Sequence, residues 1–293
     1  MLVRTFLVSV AAASLVLSSG CLRQPDASAT AASRSSASAS GGASAFESIP
    51  TFPRIVHAGP MLRGVSLAGA DFGEGILPGL HGKEYVYPDA KYANGYASPA
   101  YFRAKGMTVF RLPFRWERLQ PKRRRPFDAA ELERLTTTVA DLRALGATVV
   151  LDPHNYARYQ KDLIGSEKVP VNDFVDFWKR LATLYKDDPD VVFGLMNEPH
   201  DMPSEQWRDA ANAAIVGIRE TGAKNLILVP GNGWTGAHSW AQSWYGTPNA
   251  ALMLTIVDPA DNLAFEVHQY LDGDSSGTHD SCSGPEVGLK SRP

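Results

Sequence analysis

From Phe52 onward the chain repeats one unit, a short apolar run followed by a stretch with apolar residues at helical spacing. That alternation restricts the chain to a parallel sheet with crossover helices. The apolar runs at 62–68, 107–112, 147–151, 191–196, 225–229 and 263–270 predict six strands. Between them, Ser98 and Pro99 open a short helix as N-cap and first helical residue, and Gly106 closes it. Asp128 with Glu131 three residues on caps a second helix, whose stripe is Leu132, Leu135, Val139, Leu142 and Leu145. Phe174, Phe177, Trp178, Leu181, Leu184 and Tyr185 form the stripe of a third helix. Trp207, Ala211, Ala214, Ile215 and Ile218 form that of a fourth.

No Gly-x-Gly-x-x-Gly turn follows any of these strands, so a doubly wound dinucleotide fold is disfavoured. The expected fold class is α/β, a (β/α)8 TIM barrel that is incomplete, with about six of eight strand and helix units present. An eight-stranded barrel takes about 250 residues, and long loops here spend nearly that on six strands. A barrel lacking two strands would expose two sheet edges, which predicts instability or aggregation.

The segments ahead of the barrel read differently. Arg4 precedes an apolar run at 6–17, shorter than the ~20 residues that cross a bilayer, so residues 1–20 are expected to be a signal peptide. Ser18, Ser19 and Gly20 lead to Cys21, which resembles the lipid-attachment box of bacterial lipoproteins, with Leu17 one place further out than usual. Residues 21–50 are rich in Ala and Ser and are expected to be a flexible tether, because they cannot bury enough apolar area to offset ordering entropy. The barrel domain is then 51–293. With Cys21 lipidated or removed, Cys282 is the odd cysteine of the pair. A net charge of −2, with one basic block at 122–125, argues against a nucleic-acid partner. It leaves membrane contact to a lipid on Cys21.

In parallel barrels the reactive groups sit at the C-terminal ends of the strands. Uncommon polar residues gather there: the second strand runs into Arg111, the third into Asp152, His154, Asn155 and Tyr156, the fourth into Asn197 and Glu198, and the sixth into Glu266, His268 and Tyr270. Each alone has a structural explanation, such as a core ion pair or a helix cap. Their common placement at one rim argues for a site.

The order Arg111, His154–Asn155, Asn197–Glu198–Pro199, His268 and Tyr270, with residues 231–240 (GNGWTGAHSW) and 268–278 (HQYLDGDSSGT), resembles glycoside hydrolase family 5 over about 62–282. The likeness is to its bacterial and fungal endoglucanases. It implies a secreted, monomeric, retaining endo-β-1,4-glucanase acting on a β-glucan polysaccharide without a cofactor. Mannanase or xylanase activity on the same fold is the alternative substrate reading, and an inactive glycan-binding fragment is the alternative class. By this resemblance Glu198 is the acid/base and Asn197 holds the sugar 2-hydroxyl. Arg111 and Tyr270 would hydrogen-bond the nucleophilic carboxylate, while His154, Asn155 and His268 line the cleft. Trp234 and Trp240 are sugar platforms, and Trp244 is a third candidate. The family's nucleophile is a Glu ending the seventh strand, so the nucleophile is expected to be missing from this chain. Glu266 lies deeper on the sixth strand and reads as a partner inside the barrel, and Glu286 has no strand before it. His154, His200 and His268 are not expected to bind metal, since neither a His-x-His nor a His-Glu-x-x-His pattern occurs.

Overall fold

The computed structural model describes residues 61–88 and 98–280. The signal segment, Cys21, the tether, Cys282 and Glu286 lie outside the described residues. Six strands form one parallel sheet in chain order: β1 (Gly64–Ser66), β2 (Val109–Phe114), β3 (Thr148–Pro153), β4 (Val191–Gly194), β5 (Ile227–Pro230) and β6 (Leu263–Glu266). Each strand pairs in parallel with the next, from Gly64 opposite Val109 to Pro230 opposite Glu266. Among the described residues β1 and β6 are the edges of a half-barrel. A two-strand ribbon, Arg158–Tyr159 against Asp162–Leu163, lies in the loop after β3.

The helices are α1 (Pro99–Ala104), α2 (Trp116–Leu119), α3 (Ala129–Ala144), α4 (Val171–Tyr185), α5 (Ser204–Glu220) and α6 (Asn249–Leu252). Two caps act as their sequence predicts: Ser98 Oγ accepts from Tyr101 N at 3.2 Å, and Asp128 Oδ1 accepts from Glu131 N at 3.0 Å. The helical stripes are buried as expected at Leu135, Val139, Leu142, Phe174, Phe177, Trp178, Leu181, Trp207, Ala214 and Ile218. Leu184 departs from this pattern and is 47% exposed. At 100° per residue it falls just outside the buried apolar arc, roughly 20° beyond Phe177, in the last turn of α4.

Alternation along the strands separates two apolar layers. Phe110, Leu112, Val149, Leu151, Val191, Phe193, Ile227, Val229 and Phe265 pack outward against the helices in the main core. Val150, Val192, Leu228 and Ala264 form a small inner cluster. Two residues beyond Val150 and Ala264, on the same inward face, come Asp152 and Glu266. The inner layer therefore turns from apolar to charged toward the C-terminal rim. Gly194 keeps that layer open, since a Cβ there would lie 3.0 Å from Leu151 O and 3.8 Å from Glu266 Oε2.

β1 and β2 approach closely at Gly64, where an added Cβ would lie 2.0 Å from the carbonyl oxygen of Val109. A backbone carbonyl in a ladder cannot swing aside, so the strands must separate. Gly64→Ala is expected to destabilise the fold by about 1–3 kcal/mol, the usual cost of overpacking, measured by urea denaturation. An unchanged midpoint would mean that the edge strand is loosely held.

Candidate active site

The strands end at slightly different points from those predicted, and the differences build the site. β2 and β3 run two residues further, so Pro113 pairs with Asp152 inside the ladder and Asp152 is fixed by the sheet. β6 ends at Glu266, and His268 instead bridges the loop after β5, with His268 N donating to Thr235 O at 2.9 Å and Ala237 N donating to His268 O at 2.8 Å. After β4 the chain continues through Asn197, whose N–H donates to Pro153 O at 3.0 Å, into Glu198. Glu198 has φ +41°, a left-handed conformation that costs a non-glycine residue about 1–3 kcal/mol. Tyr156, Asp201, Trp234 and Thr235, in the loops following β3, β4 and β5, share that conformation. Backbone strain is therefore concentrated at the rim that carries the polar residues.

Those residues form one connected network. Glu198, 9% exposed, faces His268, with Oε1 2.6 Å from Nδ1. The other ring nitrogen, Nε2, is 2.8 Å from Glu266 Oε1. Arg111 Nη2 donates to Asn197 Oδ1 at 2.8 Å and forms ion pairs at 3.1 Å with both Asp152 Oδ2 and Glu266 Oε1. Asp152 Oδ2 in turn is 2.8 Å from His154 Nδ1, and Tyr156 Oη is 3.3 Å from His154 Nε2. Arg111, Asp152, Asn197, Glu266 and His268 are buried. Asn197 Nδ2 is also buried, and no hydrogen-bond partner for it is present among the described residues.

Electrostatics follow from that burial. Desolvation alone would lower the pKa of His268, but its hydrogen bonds to Glu198 and Glu266 prevail and raise it to about 9. Burial would raise the Asp152 carboxyl, yet Arg111 and His154 hold it below the usual carboxylate range. Burial, reinforced by the charge of Glu198, pushes the hydroxyls of Tyr156 and Tyr270 upward, so both stay neutral donors.

Other predicted residues divide by environment. Asn155 is turned into the scaffold: its Oδ1 accepts from Trp116 N at 2.9 Å and its Nδ2 donates to Glu117 Oε2 at 2.6 Å, which satisfies the start of α2. Trp234, 40% exposed, stacks on His200 with ring centroids 4.6 Å apart and planes 8° from parallel. Its N–H backbone group donates to Pro199 O at 2.9 Å, which ties the platform to the loop carrying Glu198. Trp240 packs against the main core, and Trp244 is exposed beside His238. Tyr270 is half-buried, with Gly277 seated on its ring where a Cβ would come within 2.4 Å.

Sequence alone places Asp152 and Tyr156 at the rim without giving them a role, and weighs His200 only as a metal ligand. Alternation from Val150 was the available signal for Asp152; Glu266 is the internal partner that its position two residues before His268 predicts. Nothing local marked His200, whose ring Nδ1 lies 2.9 Å from Asp201 Oδ2 and whose backbone carbonyl accepts from Arg158 Nη2 at 3.1 Å. His154 and His268 are each engaged by carboxylates. Among the described residues one group has metal-ligand spacing, Asp272, Asp274 and His279, with donor atoms within 4.8 Å of one another. Its Asp272 Oδ2 is already used by Ser276, Thr278 and His279.

A buried carboxyl facing an imidazole at the mouth of a parallel half-barrel, beside an exposed aromatic face, suits acid–base chemistry on an uncharged, ring-shaped ligand. Comparison with known proteins agrees in kind. The family model described as cellulase (glycosyl hydrolase family 5) matches residues 71–291. Endo-beta-1,4-glucanase B of Emericella nidulans is 38% identical over 235 residues, 80% of this chain and 67% of that protein. Among solved structures, XacCel5A in complex with cellopentaose is 46% identical with a TM-score of 0.74, covering 78% of this chain and 71% of that one. Pseudomonas stutzeri endoglucanase Cel5A in complex with cellobiose is 35% identical with a TM-score of 0.70, covering 80% and 69%. The chain spans about two thirds of the length of the curated relatives it matches.

Proposed function

The chain belongs to glycosyl hydrolase family 5, the cellulase family, and on that premise we propose that it is an endo-β-1,4-glucanase whose general acid/base is Glu198. The observation that carries the reading is Glu198 held at the strand ends, 2.6 Å from a buried His268 and next to Asn197. Glu198 protonates the leaving glycosidic oxygen and then takes a proton from the attacking water, as retaining hydrolysis requires. Asn197 has its Oδ1 occupied by Arg111 and its Nδ2 free of protein partners among the described residues, which suits donation to the sugar 2-hydroxyl. Tyr156 packs edge-on against both His154 and His200, and Trp234, stacked on His200, offers its other face to a pyranose ring. Tyr270 stands within electrostatic reach of Glu198 and Arg111 as a neutral donor. Asn155 supports the cleft from behind through α2, and Trp240 supports the Trp234 loop from the core. Export through residues 1–20, tethering through Cys21 and a monomeric state complete the proposal.

Retaining hydrolysis also needs a nucleophilic carboxylate about 5 Å from the acid. Asp152 and Glu266, the other carboxylates of the network described above, are both ion-paired to Arg111. Neither is free to attack a sugar. The chain is therefore expected to bind cellopentaose, and hydrolysis to need a second carboxylate besides Glu198.

Isothermal titration with cellopentaose, mannopentaose and xylopentaose tests the binding half. The glucan is expected to bind tightest, and Trp234→Ala to weaken it about 5- to 30-fold, the loss of one aromatic contact of ~1–2 kcal/mol. Tighter binding of mannan or xylan would change the substrate, and no binding by a folded sample would overturn the reading. Turnover by a folded sample would mean that a second carboxylate acts, with Glu266 and Glu286 the first to replace.

A further inference from the structure

We infer that Glu266 is a positioning residue for the acid/base: it fixes the hydrogen of His268 on Nε2 and so leaves Nδ1 as the one ring atom that shares a proton with Glu198. The inference rests on Glu198 as the acid/base for its functional meaning, but its geometry stands apart from any substrate.

Glu266 Oε1 lies 2.8 Å from His268 Nε2 and also 3.1 Å from Arg111 Nη2. An arginine nitrogen only donates. Oε1 thus accepts on its Arg111 side, and the complementary arrangement on the other side is Nε2–H donating to the same oxygen. With Nε2 committed, Nδ1 has two states. It carries a hydrogen and donates to Glu198 Oε1, or it accepts the hydrogen of a protonated Glu198 across the 2.6 Å contact. The ring cannot turn over without breaking both contacts in a site where Glu266 and His268 are almost fully buried. A carboxylate behind a histidine that selects its tautomer is a general device of acid–base sites. Here the histidine reports to a carboxyl group instead of a hydroxyl.

The two-residue spacing of Glu266 and His268 makes the device local. Glu266 ends β6 and points inward, and His268 lies one alternation further along, so the two side chains share a face. Arg111, on β2, anchors the far side of Glu266, and Asp152, on β3, pairs with the same guanidinium nitrogen. The charged groups facing His268 are therefore Glu198, Glu266, Arg111 and Asp152. The two glutamates outweigh burial and bring its pKa to about 9, which agrees with a ring gripped from both ends.

The test uses the full chain labelled with 15N-histidine and needs no turnover. Long-range 1H–15N correlation spectra are recorded from pH 5 to 10, with His268 identified by loss of its signals in His268→Asn. In the native chain Nε2 is expected to stay protonated throughout, while Nδ1 titrates. Glu266→Gln is expected to lower the His268 midpoint by about 1–3 pH units, the effect of one adjacent opposite charge, and Glu266→Asp to recover part of it. An unchanged midpoint in a Glu266→Gln sample with native near-ultraviolet circular dichroism would overturn the inference. Should that variant fail to fold, Glu198→Gln decides: His268 keeps its Nε2 hydrogen if Glu266 holds it, and appearance of the Nδ1–H tautomer would sink the idea. Failure of the glucanase reading would appear in the cellopentaose titration and leave these spectra unchanged.

Discussion

Replacing Glu198 by Gln is expected to lower hydrolysis of β-1,4-glucan by about 10²–10⁴-fold, the range of a lost general acid/base, with cellopentaose affinity held within about threefold. Gln keeps the size of the side chain and can still meet His268 Nδ1, but it has no proton to give to a leaving oxygen and cannot accept one from water. The contacts that bind the sugar, Trp234 and Asn197, are untouched. The rate comparison is made on protein with measurable turnover, so that a loss can be read. Reducing-sugar release and calorimetric titration read the two effects separately. Equal rates in the two proteins would remove Glu198 from the acid/base role, and parallel loss of rate and affinity would recast it as a binding residue.

Arg111→Met is expected to cost the fold about 3–5 kcal/mol at neutral pH, read from urea denaturation. Met approximates the volume, so the loss is electrostatic: Asp152 and Glu266 would be buried without the guanidinium that lies 3.1 Å from each. His268 remains as a partial counter-charge, which places the expectation toward the lower figure. Against a typical domain stability of about 5–15 kcal/mol, that is a large share.

The pH dependence of the deficit has a definite sign. In the native chain the Asp152 carboxyl is held below its ordinary value. Its contribution is therefore present above that ordinary value and is lost as pH falls through the lower folded one. Without Arg111, burial dominates and pushes the carboxyl the other way, so protonation relieves the buried charge. The stability gap between Arg111→Met and the native chain should accordingly narrow as pH falls from 7 toward about 4. A gap that stays constant with pH would mean that the loss comes from packing.

Much of this site was readable as a line of residues. Period-two alternation told which strand residues face inward, and in a parallel sheet the C-terminal ends all lie at one rim. Arg111, His154, Glu198 and His268 could therefore be grouped before any contact was known. The same logic put Glu266 behind His268. It could not distinguish His154 from Asn155, which are adjacent. One reaches Asp152 and Tyr156, while the other is consumed by Trp116 and Glu117. Trp234 and Trp240 belong to one glycine-rich loop and likewise differ, one stacked on His200 at the surface and one against the core.

The sequence by itself determined the parallel α/β order, the capped helices and the rim to which the polar residues belong, because these depend on periodicity and on neighbours within a few positions. Tertiary structure decided the partner of each polar group. Arg111 meets Asn197 across 86 residues and Glu198 meets His268 across 70, and such pairings are set by strand register and by the packing of separate loops. In a buried layer the great majority of donors find an acceptor, and only the folded arrangement fixes which one is within reach.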